Sequence, residues 1–436
     1  MILYLAMDYK LSRLKNGLRV LTVPMPSLES ATLMVWVRVG SRFEPEKIAG
    51  LSHFLEHMVF KGSKKRPTAR QISEVVDGIG GEFNAATSKE WTNFYIKARA
   101  GSLETAFDIL SDMVLNPILA EEEIEREKGV ILEEKKMYED NPTMYIGEVF
   151  EELMFKGSTL GRDTIGTEKA IKGLSKKDFL DYRMMHYFTD NILLTVSGGI
   201  NEKNTLELAE KYFSKLKAQG QTHFAKATRV KQKSPRVLLK TKKSEQVNLI
   251  LGFRGYPMGH RDRYAEAVLA SLLGMGMSSR LFIEIRERRG LAYSVRTSPE
   301  HYTDTGYFAT YVGVDPKKAP EAIKVMLEEH YKLTDHLTAQ AGQSPITDHE
   351  LKKAKEFLKG HLALSLEDTK AVDYFFGERQ LLLGEVETPE KVFAGIDKVS
   401  IDDVVAVAKY LFKKEKLNLA IIGPEGREEK WKKLLS

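Results

Sequence analysis

Apolar residues along the chain follow two rhythms. Short alternating or continuous runs suit strands, and spacings of three and four suit helices. Strand-like runs fall at 18–23, 32–39, 91–98 and 194–198, with helical spacing over 46–61, 102–115 and 122–138. The order then recurs: strand-like runs at 236–239, 246–252, 305–314 and 417–423, and helical spacing over 319–333 and 348–364. A repeat this long points to gene duplication rather than a solenoid, whose periods are shorter. Residues 215–235 are rich in Lys, Gln and Ser and poor in apolar side chains, which marks a linker. The expected layout is one domain over 1–218, a linker over 219–235 and a homologous domain over 236–436. Residues 337–345 read as an insertion in the second copy. The fold class is α+β, two homologous domains, each a mainly antiparallel sheet covered on one face by helices.

A chain of 436 residues is too long for one core, which agrees with two domains. The 66 basic and 61 acidic residues nearly balance, at a net charge of +5, and no basic block argues for nucleic acid. The chain has no cysteine, so disulfides, thiolate ligands and a cysteine nucleophile are excluded, leaving His, Asp and Glu for any metal. The apolar start, Met1 to Met7, is too short for an export signal or a membrane span. A cytoplasmic location without membrane attachment is the expectation.

The chemistry concentrates in His53-Phe54-Leu55-Glu56-His57. The stretch 46–61 carries an apolar stripe of Leu51, Leu55, Met58 and Val59, and Gly62 is a natural stop. Residues four apart stack on one helix face, so His53 and His57 can aim two imidazoles at one ion. Glu56 can then approach a metal-bound water without ligating the metal. Zinc accepts imidazole and carboxylate, keeps a position open for water in catalytic sites, and lowers the pKa of that water to about 7. A third ligand is needed, and both Glu127 and Glu134 qualify. They lie seven apart on the helix 122–138, on a face that includes Ile124, Ile131 and Tyr138, where unpartnered carboxylates are costly. The second copy carries Ala354 and His361 at the corresponding positions and has no histidine pair around 269–273. Taken singly, these features also suit surface histidines and a solvated acidic helix. His186, His260 and His301 have no partner at ligand spacing and read as structural.

Further matches extend along nearly the whole chain. They include Leu14-Lys15-Asn16-Gly17-Leu18, Gly40-Ser41-Arg42, Gly50-Leu51-Ser52 and Phe60-Lys61-Gly62. Gly80-Gly81-Glu82-Phe83-Asn84-Ala85, Glu90-Trp91-Thr92, Val130-Ile131-Leu132-Glu133-Glu134 and Asp140-Asn141-Pro142 follow. With the inverted zinc motif, these residues resemble the pitrilysin or M16 peptidase family, and most the two-domain branch that includes the mitochondrial processing peptidase. The resemblance implies one zinc ion per chain on His53, His57 and Glu134, Glu56 as general base, and Glu127 as a supporting acidic residue. It implies that Phe83, Asn84 and Ala85 lie on an edge strand that pairs with an extended peptide. The second copy carries Ser279-Arg280-Leu281-Phe282, Ile285-Arg286 and Gly290-Leu291-Ala292-Tyr293, in which Arg286 and Tyr293 match a pair that touches substrate and steadies the tetrahedral intermediate. The implied activity is endopeptidase cleavage of extended or unfolded peptides inside a closed chamber, by a homodimer with composite sites. A non-catalytic scaffold or peptide-binding subunit of the same fold is the alternative.

Overall fold

The computed structural model describes residues 7–218, 232–334, 344–424 and 428–435. Of the expected linker, 219–231 lies outside the described residues, as do 337–343 of the expected insertion. The first half runs β1 (Lys10–Arg13), β2 (Arg19–Pro24), β3 (Ser30–Val37), α1 (Leu51–Val59), α2 (Ala69–Gly78), β4 (Glu82–Thr87), β5 (Thr92–Arg99), α3 (Leu103–Leu115), α4 (Glu121–Asp140), α5 (Pro142–Met154), α6 (Glu168–Gly173), α7 (Lys176–His186), β6 (Ile192–Gly198) and α8 (Glu202–Phe213). The second runs β7 (Arg236–Thr241), β8 (Val247–Gly255), α9 (Arg263–Gly274), β9 (Ala292–His301), β10 (Gly306–Val314), α10 (Ala319–Lys332), α11 (Asp348–Ser365), α12 (Thr369–Leu383), α13 (Pro389–Lys398), α14 (Ile401–Leu411), β11 (Leu417–Gly423) and α15 (Glu428–Leu434).

Among the described residues the strands form two sheets, in the orders β1-β2-β6-β3-β5-β4 and β7-β11-β8-β10-β9. Apart from the extra β1, the two orders correspond strand for strand. Each sheet has one parallel pair, β2 with β6 and β7 with β11, and is otherwise antiparallel. The duplicated α+β architecture is as the sequence predicts.

The compact units are not continuous in sequence. One unit takes the described residues of 7–135, 162–218 and 363–390; the other takes those of 136–161, 232–362 and 391–435. Each half therefore contributes a helix to the other half's sheet. In the first unit β3 is buried at every position from Ala31 to Val37, and β6 is buried throughout. Alternate strand residues point to opposite faces, so full burial requires cover on both. The helices α3 and α8 lie against this sheet, and so does α12 from the second half. The Thr32 and Thr369 hydroxyls are 2.7 Å apart, and Gly377 is so close to Trp36 that a Cβ there would come within 2.6 Å of the indole nitrogen. In the second unit Leu249, Leu251 and Phe253 of β8 enter a core shared with α9, α10 and α14. Ile250 and Gly252 instead meet α5, whose Ile146, Val149 and Phe150 build a second apolar cluster. Reading each half alone supplies one cover per sheet, and the exchanged helix supplies the other.

One boundary departs from expectation. The helical spacing begins at residue 46, yet α1 starts at Leu51 and only Glu46–Ile48 form a short 3₁₀ turn. Gly50 breaks the run with a φ of +98°, a conformation costly for residues with a Cβ, and a Cβ there would sit 2.1 Å from the Ile165 carbonyl oxygen. The buried Glu44 carboxylate accepts from the Gly50 and Ser52 amides, at 2.6 Å each, and so caps α1 from outside the helix.

Two glycines separate these constraints. Gly377→Leu is expected to lower the urea midpoint, costing about 1–3 kcal/mol through overpacking of α12 on Trp36. Gly360→Ala on α11, where no atom beyond the helix's own backbone lies within 4 Å of the added carbon, is expected to raise the midpoint, adding up to about 1 kcal/mol of stability through helix propensity.

Candidate metal centre

The apolar face of α1, with Leu51, Phe54, Leu55 and Met58 buried, anchors the helix beside β4 and β5. That leaves His53 and His57 side by side on another face, ring centroids 4.6 Å apart and planes at 66°. Glu134 on α4 meets both: its Oε1 is 3.7 Å from His53 Nε2 and its Oε2 is 3.3 Å from His57 Nε2. One ligand atom from each of the three lies within 4.8 Å of the others, and no other group of this kind occurs among the described residues. Glu134 Oε2 is buried without a hydrogen-bond partner. A carboxylate oxygen left so, beside two imidazole nitrogens, is a cost that a cation removes. Two nitrogens and one oxygen are the donor set of a catalytic zinc site.

Behind His57 stands Glu127. Its Oε1 is 2.9 Å from His57 Nδ1, while its Oε2 receives Lys61 Nζ at 2.6 Å. A carboxylate on the far ring nitrogen fixes the tautomer that presents Nε2 to a metal. Glu127 therefore positions His57, and Lys61 holds Glu127. Burial opposes charge on both rings, with different outcomes. For His57 the hydrogen bond to Glu127 and the contact with the Glu134 carboxylate outweigh burial and lift its pKa to about 9. For His53 burial, joined by repulsion from His57, pushes the pKa down to about 4. Glu127 and Glu134 sit below the usual carboxylate range: burial works to raise them, but their contacts with His57 prevail.

Glu56, on the same helix, lies close enough to His57 and Glu134 to feel their charges. Thr87 Oγ1 donates to its Oε2. Burial raises the Glu56 pKa, against the Thr87 hydrogen bond, which favours the charged form. Thr87 ends β4, the edge strand, which among the described residues pairs only with β5, with Phe83 opposite Ile96, Asn84 opposite Tyr95 and Ala85 opposite Phe94. The Phe83 ring lies 5.5 Å from Phe60, just past α1, and Asn84 Oδ1 accepts from the Ala85 amide at 2.8 Å. The edge strand and the His-Glu-His helix are thus joined at both ends. The sequence reading assigned no part to Thr87 or Lys61. Lys61 lies in a quoted motif, but nothing in periodicity or spacing marks the threonine.

In the second unit, Arg286 and Tyr293 come together. The guanidinium lies 4.4 Å from the Tyr293 ring centroid and 4.8 Å from that of Phe282, and donates to the Tyr293 carbonyl at 3.1 Å. Arg286 rides on a π-helical turn, Phe282–Glu287, a distortion common at functional sites. Tyr293 is exposed. Three other histidines have structural surroundings: the His186 ring packs at a tilt against Tyr182, His260 stacks on Tyr256, and His301 bonds Glu266 at 2.7 Å.

Comparison with known proteins places these features in context. The family model described as Insulinase (Peptidase family M16) matches residues 19–168, and that described as Peptidase M16 inactive domain matches 173–358. An uncharacterized zinc protease of Streptomyces coelicolor is 36% identical over 416 residues, 94% of this chain and 88% of its own. The uncharacterized zinc protease YmxG of Bacillus subtilis is 35% identical over 414 residues, 94% of this chain and 97% of its own. Among solved structures, a protease from Helicobacter pylori shares the fold with a TM-score of 0.86 at 24% identity, over 96% of this chain and all of that one.

The pKa pattern predicts proton traffic on metal binding. At about pH 7.5 zinc uptake is expected to release about one proton, from His57, since His53 is already neutral; calorimetry in buffers of differing ionisation enthalpy counts it. In metal-stripped protein the His57 contribution to stability is full below its ordinary pKa of 6.5 and is lost as pH rises through about 9. Melting temperature should accordingly fall over that window, less so in Glu127→Gln. The same substitution is expected to weaken zinc binding about 10–100-fold, read by chelator competition.

Proposed function

The chain belongs to peptidase family M16, and on that premise we propose that it is a zinc-dependent endopeptidase of extended or unfolded peptides. The observation that carries this reading is the convergence of His53, His57 and Glu134 within 4.8 Å, with Glu56 on the same helix. One zinc ion per chain, held by these three, would polarise a peptide carbonyl and make water acidic near pH 7. Glu56 takes a proton from the attacking water and hands it to the departing amine. Its raised pKa suits an acid–base group that must work in both directions near neutrality.

The open edge of β4, at Phe83, Asn84 and Ala85, receives the substrate backbone as an added strand. Main-chain pairing accepts many sequences but requires an extended chain, which is why unfolded segments are the proposed substrates. Arg286 and Tyr293 supply a cation and a phenol for the developing oxyanion, and the stacking of Arg286 between two rings holds the guanidinium ready. We further propose a homodimer forming a closed chamber, in which the zinc ligands of one copy act with the Arg–Tyr pair of its partner. No described helix is long and apolar enough to cross a membrane, and a cytoplasmic setting is part of the proposal.

Hydrolysis of a quenched fluorogenic peptide by the zinc-loaded protein tests the reading. Glu56→Gln is expected to lose about 10²–10⁴-fold in kcat while still binding zinc. A zinc-loaded wild type that binds varied peptides tightly but cuts none would point to the scaffold or peptide-holding alternative. Mixing Glu56→Gln with Arg286→Ala tests the composite site. Recovered activity supports it, and a wild-type chain active as a monomer argues against it.

A further inference from the structure

Resting on the hydrolytic reading of this site, we propose that Thr87 is the positioning residue of Glu56, fixing which carboxylate oxygen carries the transferred proton and tying the base to the substrate-binding strand. The hydroxyl of Thr87 has one proton to give, and it goes to Glu56 Oε2. An oxygen engaged in this way is the weaker base of the two. The proton drawn from water therefore lands on Oε1: one water O–H bond breaks, one Oε1–H bond forms, the water oxygen's electron pair goes to the carbonyl carbon, and the carbonyl π pair moves to its oxygen, to return when the C–N bond breaks. When the C–N bond breaks, the Oε1 proton passes to the amine and the carboxylate is restored, with Thr87 still donating to Oε2 throughout.

Thr87 can do this because the turn that follows it is fixed. The Ser88 hydroxyl accepts from the Glu90 and Trp91 amides at 3.1 Å each, and the Ser88 amide donates to the Trp91 carbonyl at 2.8 Å. The Glu90 carboxylate is paired with Arg42, both side chains being almost wholly buried. The Arg42 amide donates to the Lys89 carbonyl at 3.0 Å, and Gly40 approaches so closely that a Cβ would sit 2.2 Å from the Ser88 carbonyl oxygen. This lock leaves Thr87, a β-branched residue with few rotamers, at the end of a rigid hairpin. Because the same strand carries the open edge at Phe83–Ala85, a peptide added to that edge is registered on the element that aims the base.

The test compares Thr87→Val, which keeps the branched shape without the hydroxyl, with Thr87→Ser, which keeps the hydroxyl. Thermal melts establish that both are folded. For zinc-loaded Thr87→Val, kcat is expected to fall about 10–100-fold with KM and zinc affinity held within about twofold, and Thr87→Ser to stay within about threefold of wild type. In cobalt-substituted protein the visible bands, which report the surroundings of the metal, should move in Thr87→Val and not in Thr87→Ser. Wild-type kcat in Thr87→Val, a loss explained by KM or zinc affinity, or an equal loss in Thr87→Ser would each overturn the proposal. Should the wild type cleave no peptide, the hydrolytic reading falls, and the cobalt spectra still decide for Thr87: bands that move only in Thr87→Val uphold its link to Glu56, and identical bands refute it.

Discussion

Three ionisable groups, two imidazoles and a carboxylate, are drawn within 4.8 Å of one another in a partly buried place, and the rest of the first unit is arranged around that fact. Without a cation the cluster is at odds with itself. His57 is held protonated by its carboxylates, His53 is forced neutral by burial and by His57, and Glu134 keeps a buried oxygen without a hydrogen bond. A divalent ion satisfies all three, because it takes neutral imidazole and charged carboxylate together. The free energy of metal binding thus offsets the cost of burying them, and occupancy and local stability are linked.

Such a cluster needs a stiff frame, since small displacements of ligands or base are expensive in catalysis. Polar contacts, several of them buried, add to the apolar packing of α1 in building that frame. Glu44 caps α1, Glu127 and Lys61 steady one ring, and the Arg42–Glu90 pair fixes the hairpin that ends in Thr87. Burial pushes the Glu44 pKa up to about 7, so even the cap that starts the helix is a group under electrostatic load. Each of these contacts repays its desolvation only when geometry is good. Their density around α1 contrasts with the apolar cluster that seats α5 on the other sheet.

Much of this was legible in the chain. The helical spacing of His53 and His57, and the seven-residue spacing of Glu127 and Glu134, depend on helix geometry alone, and the structure carries both pairs on helices. The choice between the two carboxylates was not open to spacing, because residues seven apart share a face. The structure separates them by depth: Glu134 reaches both rings and Glu127 sits behind one. The start of α1 was misjudged because Gly50 acts through a contact with residue 165, distant in sequence. Thr87 was invisible for a similar reason: its partner is 31 residues away, and a threonine at a strand end carries no periodic signal. The exchange of α5 and α12 was hidden too, since amphipathic patterning says that a helix has a buried face but not which sheet buries it.

The duplication shows what the metal demands of the fold. In the second copy α9 lies against β9, as α1 lies against β4. The contact between α9 and α11, however, is closed by small and apolar groups. Ala354, at the position of Glu127, is buried, and its carbonyl accepts from the Ser271 hydroxyl at 3.2 Å. His361, which the sequence repeat aligns with Glu134, is exposed and packs at a tilt against Phe357 of its own helix, with ring centroids 4.1 Å apart. One scaffold thus supports two solutions to the same helix–helix contact. The second closes itself with apolar contacts and needs no ion. The first keeps ionisable groups at the equivalent positions, and that is stable only where a cation and its supporting hydrogen bonds compensate them. Without such compensation the apolar solution is the less costly, so the persistence of His53, His57, Glu127 and Glu134 together in one copy argues that the metal, and not the fold, keeps them there.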